Sequence, residues 1–129
     1  MPVGCRRKEP GVRYLVVEDN VELRETLALT LEAPGRDVDT CASGEQALEL
    51  FGRSPYEVVL ADVGLPGLSG TELARRLRQS HPDTWLVLCS GALHEAPADD
   101  VSARTRVLAK PFTMEELEQL LDEIEGKSR

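Results

Sequence analysis

No apolar run in this sequence approaches the ~20 residues that a helix needs to cross a bilayer. Nothing in the sequence resembles a secretory leader either. The stretch "CRRKEPG" at residues 5–11 has the basic charge of one but lacks the apolar segment that must follow. Paired cysteines are also lacking. Cys5, Cys41 and Cys89 are odd in number and far apart, with no CxxC, which excludes a disulfide framework and fits reduced thiols in a cytoplasmic protein. Cys89, inside "WLVLC", reads as buried filler. Basic residues are outnumbered, 15 to 23, by acidic ones. A net charge of −8 argues against a general nucleic-acid or membrane-surface binder, and "RRK" at 6–8 reads as a solvated tail. Repeats, low-complexity tracts and internal linkers are absent too.

What is there is an ordinary globular composition, 41% apolar and 29% charged over 129 residues, enough for one domain with its own core. Short apolar runs alternate with helical patterns. "RYLVV" (13–17), "YEVVLA" (56–61), "WLVLC" (85–89) and "RVLA" (106–109) read as strands, and "DVDTC" (37–41) as a weaker one. Between them, Leu23, Leu27 and Leu31 form one helical stripe, stopped by Pro34-Gly35. Ala47, Leu48 and Phe51 supply a second, Leu73 and Leu77 a third, and Leu117, Leu120, Leu121 and Ile124 the last. Ser43/Gln46, Ser69/Glu72 and Thr113/Glu116 have capping-box spacing. The polar, Ala-rich stretch 92–104, with Pro97, allows only a short or mobile helix. The acidic run "MEELEQLLDEIE" reads as a solvated helix face, and His81 and His94 as loop residues. Five strands alternating with five helical segments predict an α/β domain over residues 12–126, its parallel sheet covered on both faces. Residues 1–11 and 127–129 are expected to be tails.

The chemistry sits where strands end. "VVLADVGLPGLSG" (58–70) runs from a core strand straight onto Asp62 and a Gly/Pro turn, although a carboxylate is expensive to desolvate. Strand one ends on Glu18 and Asp19, strand four on Ser90, and strand five on Lys110. In an open parallel α/β sheet all these ends share one edge, where ligands bind. Three carboxylates crowded together repel one another by about 4 kcal/mol per pair at 4 Å and an effective dielectric near 20, so they make little sense as a stability device. They suit a hard cation such as Mg²⁺, which takes oxygen ligands and bridges to phosphate. A hydroxyl and an ammonium beside it suit phosphoryl oxygens during in-line transfer. A carboxylate nucleophile would form an aspartyl phosphate.

At these residues the chain resembles the response-regulator receiver domains of two-component signalling, over roughly residues 12 to 125. "VVEDN" is similar to the family's acidic pair, "ADVGLPGLSG" to its phosphoacceptor segment, "CSGA" to its strand-four switch segment and "AKPF" to its lysine signature. The resemblance implies a flavodoxin-like, doubly wound sheet of order 2-1-3-4-5 with five helices. It implies that Asp62 accepts the phosphoryl group and that Mg²⁺ is held by Glu18, Asp19, Asp62 and the carbonyl of Gly64. It further implies that Lys110 and Ser90 meet the phosphoryl oxygens, and that the Lys110–Pro111 bond is cis. A histidine kinase or histidine phosphotransfer protein is the implied donor and a downstream protein the implied target, with no direct nucleic acid and no membrane insertion.

Departures from the family's pattern qualify those expectations. Val107 stands where the family often carries Tyr or Phe, leaving any coupling to Ser90 without its aromatic partner. Gly64 and Ala92 flank the site without functional side chains, so slow loss of the phosphoryl group is expected, from a protein that is no enzyme beyond its own phosphorylation and dephosphorylation. Without a further domain in view, output is expected through a protein contact or onward phosphoryl transfer. The rival readings are an Asp-nucleophile metal-dependent phosphatase, a flavin module and a docking receiver that is never phosphorylated. The phosphatase usually places a second acid where Gly64 stands. In the flavin module "EDNVE" would repel phosphate.

Overall fold

A computed structural model describes residues 12–91 and 104–126. Within them the chain runs β1 (Val12–Val17), α1 (Val21–Leu31), β2 (Arg36–Cys41), α2 (Gly44–Arg53), β3 (Val58–Asp62), α3 (Gly70–Ser80), β4 (Trp85–Ser90), β5 (Thr105–Ala109) and α4 (Met114–Glu125). The five strands form one sheet of order β2-β1-β3-β4-β5, and every neighbouring pair is parallel. The sheet and its order are those expected, whereas the described residues contain four helices rather than five. The remaining expected helix falls on 92–103, outside the described residues. So do the expected tails, 1–11 and 127–129, and the sequence's His94 and Ala92. Among the described residues, no helix is long and apolar enough to cross a membrane.

Continuous apolar strands follow from the need to cover both faces of the sheet. Alternate side chains of β1 and β3 point to opposite faces. Leu15, Val17, Val59 and Ala61 pack with Ala47 and Phe51 of α2 and with Leu73, Ala74 and Leu77 of α3. Tyr14, Val16, Val58 and Leu60 pack on the other face with Leu27 and Leu31 of α1 and with Leu117 and Leu121 of α4. Leu48, Leu23, Leu120 and Ile124, also expected on the buried stripes, lie at the margins of these two clusters.

The three capping-box spacings resolve differently. Only Thr113/Glu116 forms the reciprocal pair, with the Thr113 hydroxyl accepting from the Glu116 N–H at 3.0 Å and the Glu116 carboxylate accepting from the Thr113 N–H at 2.9 Å. Ser43 caps α2, but Gln46 reaches one residue further back and accepts from the Ala42 N–H at 2.8 Å. Ser69 caps α3, and the Glu72 side chain turns instead to Arg75 and Arg76. A side chain with a cation one turn away on its own helix has an alternative to capping.

The acidic face of α4 is not uniformly solvated, as it was read to be. Arg36, on edge strand β2, draws Glu125 to 3.0 Å and Glu118 to 3.4 Å. The Glu125 side chain is only 2% exposed, and the Tyr14 hydroxyl donates to the same carboxylate oxygen, Oε2, that Arg36 holds. Burial first, and Glu125 second, push the Tyr14 hydroxyl far above its ordinary range. Charge also completes the other flank of β2, where Arg13 lies 3.5 Å from Asp37 and 3.6 Å from Asp39. Ion pairs therefore anchor the polar edge strand where apolar packing is thin.

Candidate functional site

β1 and β3 are neighbours, as are β3 and β4, and β4 and β5, so their C-terminal ends line one stretch of the sheet edge. Asp62 is the last residue of β3 and lies in register with Cys89; Ser90, the last of β4, is in register with Ala109. Lys110 follows directly, its N–H donating to the Ser90 carbonyl at 2.8 Å. Glu18 and Asp19 follow β1, and the Glu18 N–H donates to Cys41 O at 3.1 Å. The sheet ladder itself thus delivers each strand-end residue to the same rim.

Glu18, Asp19 and Asp62 each offer a carboxylate oxygen within 4.8 Å of the others. Lys110 Nζ stands 2.9 Å from Asp62 Oδ1 and 4.0 Å from Glu18 Oε1. Burial decreases outward, from Glu18 at 4% exposure to half-buried Asp62 and exposed Asp19. The exposed side gives a ligand access, while the buried side fixes the geometry. Glu18 Oε2 is held by the Asn20 N–H at 3.1 Å, and Asn20 in turn caps α1. The Arg24 guanidinium donates to the Glu18 carbonyl at 2.8 Å, bracing the turn after β1. Arg24 was not anticipated from the sequence, because nothing in a helical arginine signals which carbonyl it will meet.

The electrostatics follow from this crowding. Burial raises the Glu18 carboxyl above its ordinary value, Asn20 opposes that through its N–H, and the Asp62 charge adds to it. Burial works against the Lys110 ammonium, but its hydrogen bond to Asp62 and the charges of Asp62 and Glu18 prevail and raise it. Cys89 lies beside the same groups, and burial pushes its thiol up to about 12. It is a neutral filler, as its apolar surroundings suggested.

Two glycines shape the segment that follows β3. A Cβ on Gly64 would lie 3.8 Å from Asp62 Oδ2, so residue 64 flanks the carboxylate and leaves it open. A Cβ on Gly70 would fall 2.8 Å from the Asp62 carbonyl carbon, which only a glycine avoids without moving the strand end. The Lys110–Pro111 bond is cis. Ser90 is 3% exposed, and Val107 stands outward at 36%.

The donor set is all oxygen: three carboxylates with a glycine backbone beside them and a protonated thiol behind. Such a set fits a hard divalent cation such as Mg²⁺ rather than a soft metal. Its charge would relieve repulsion that Lys110 only partly offsets. Asp62 would keep one oxygen toward the lysine and one toward the open side by Gly64.

Comparison with known proteins agrees with this geometry. The profile of the response regulator receiver domain matches residues 14–122. The response regulator receiver protein CpdR of Brucella abortus is 34% identical over 115 residues, covering 88% of this chain and 93% of CpdR. The transcriptional regulatory protein TcrA of Mycobacterium tuberculosis is 37% identical over 109 residues, covering 83% of this chain. The chain spans only 43% of TcrA's length. Among solved structures, the response regulator TrrA of Thermotoga maritima, crystallised in complex with Mg²⁺ and BeF, superposes with a TM-score of 0.79 at 31% identity, covering 88% of this chain and 98% of that one.

Proposed function

The chain belongs to the response-regulator receiver family of two-component signalling, and from that premise we propose that it is a switch phosphorylated on Asp62. The donor is a phosphohistidine, on a histidine kinase or a histidine phosphotransfer protein. A carboxylate oxygen of Asp62 attacks phosphorus in line while the bond from phosphorus to the imidazole nitrogen breaks. The imidazole leaves with the bonding pair and takes up a proton. Glu18, Asp19, Asp62 and the Gly64 carbonyl would hold Mg²⁺. When bound, the ion supplies positive charge to the equatorial phosphoryl oxygens. Lys110 would supply positive charge to them as well, and Ser90 would donate its hydroxyl.

One observation carries this reading: Lys110 Nζ lies 2.9 Å from Asp62, inside a carboxylate cluster only 4.8 Å across. Phosphorylation adds a charge of about −1.5 to −2 at this point, which the same lysine and cation would meet. Drawing Ser90 inward would then carry the change at Asp62 outward from the end of β4, as charge-driven switches do. Output passes to a downstream protein in the cytoplasm. The protein turns over no other substrate. Intact-mass measurement after incubation with a small phosphodonor tests this, with and without Mg²⁺. One added phosphoryl group, dependent on Mg²⁺, is expected; modification that ignores the metal would count against the site.

A further inference from the structure

We infer that Glu45, on α2, is a positioning residue for the phosphoacceptor loop and thereby sets the affinity of the cation site. The inference rests on the proposed role of that site. Between Asp62 and α3 the loop is pinned at three points. The Val63 N–H donates to Cys89 O at 2.9 Å, the Gly70 N–H to Val63 O at 3.1 Å, and the Leu68 N–H to the Glu45 carboxylate at 3.1 Å. The first two hold the ends of the loop to the sheet. The third reaches its middle from a different helix.

Glycines on both partners make that reach possible. Gly67 sits at φ +72°, and a Cβ there would come 2.9 Å from Glu45 Oε2. Gly44, beside Glu45, approaches so closely that its own Cβ would lie 2.9 Å from the Leu68 carbonyl and 3.1 Å from Leu68 Cβ. The first turn of α2 and the loop therefore interlock at a spacing that side chains at 44 or 67 would break. A carboxylate on a backbone N–H is a charge-assisted bond, stronger than its neutral counterpart. It also lies in the first turn of α2, where negative charge is favoured. Gly64 shares this loop, so its carbonyl would meet the cation only as well as the loop is held. By linkage, a bound cation must in turn steady the loop and the Leu68 N–H.

The test titrates Mg²⁺ into wild type, Glu45→Ala and Glu45→Gln, following the backbone amide signals of Gly64 and Leu68 by NMR. Glu45→Ala should weaken Mg²⁺ binding about tenfold, the low end of what losing an outer-shell partner costs. In the metal-free state it should already shift both amides. Glu45→Gln, which keeps an acceptor oxygen, should stay within about twofold of wild type. Wild-type affinity in Glu45→Ala, or equal losses in both variants, overturns the inference alone. A wild type that takes no Mg²⁺ overturns the proposed site and this inference together.

Discussion

Replacing Glu18 by Gln should make the metal-free protein more stable while abolishing most of its stabilisation by Mg²⁺. Glu18 is 4% exposed, with carboxylate oxygens of Asp19 and Asp62 within 4.8 Å. At an effective dielectric of 20, each full-charge repulsion at that separation costs about 3 kcal/mol. The attraction to Lys110 at 4.0 Å returns about 4 kcal/mol on the same scale. Exposed Asp19 is screened, so its share shrinks. The remainder, with the desolvation of the charge itself, leaves about 1–2 kcal/mol against ionised Glu18. Gln keeps an oxygen for the Asn20 N–H, so little is lost in exchange.

For a chain of this size the gain corresponds to a Tm higher by about 3–8 °C. The sign with pH follows from linkage. The folded state holds the Glu18 proton above the ordinary 4.5, so it binds more protons than the unfolded chain in that window. Wild type should therefore lose stability relative to Glu18→Gln as pH rises from acid through and above 4.5, and match it below. Mg²⁺ at a hundred times its Kd should restore about 2.7 kcal/mol to wild type and far less to the variant. Thermal melts across pH, with Mg²⁺ or EDTA, read all of this. A metal-free Glu18→Gln that melts below wild type at neutral pH would refute the electrostatic argument.

Two further outcomes are expected. Arg36→Ala should cost about 3–5 kcal/mol in urea unfolding, because it strands the buried Glu125 carboxylate; a loss under about 1 kcal/mol would show that the edge-strand ion pairs are ornamental. The phosphorylated protein should lose its phosphoryl group slowly, and Gly64→Asn, which has room beside Asp62 Oδ2, should hasten that loss by offering an amide to orient water. A wild-type half-life of seconds in Mg²⁺ would contradict this.

Most of the architecture was legible because its signals are local. β1, β3 and β4 are buried on both faces, so apart from Arg13 their sequences are apolar runs, and polar residues mark where they end. The site was legible for the same reason: topology turns strand ends into neighbours, and Glu18, Asp19, Asp62 and Lys110 each sit at one. Long-range partnerships were not. Arg36 and Glu125 are 89 residues apart in sequence, and neither carries a mark of the other, so a buried glutamate was read as solvated. Ser43/Gln46 and Ser69/Glu72 show why spacing alone does not make a capping box: Gln46 had a better backbone donor at Ala42, and Glu72 had two arginines. The Glu45 contact, likewise, depends on two glycines approaching across a gap that no pattern along the chain encodes.

The central claim is that Asp62 is the residue that reacts. Trypsin releases it in a single peptide, residues 54–75, between Arg53 and Arg75. After treatment with a small phosphodonor and Mg²⁺, trapping of the acyl phosphate by borohydride and fragmentation of that peptide should place the modification on Asp62 in wild type and leave Asp62→Asn unmodified. A phosphoryl group found on another residue, or one that persists in Asp62→Asn, would contradict the account.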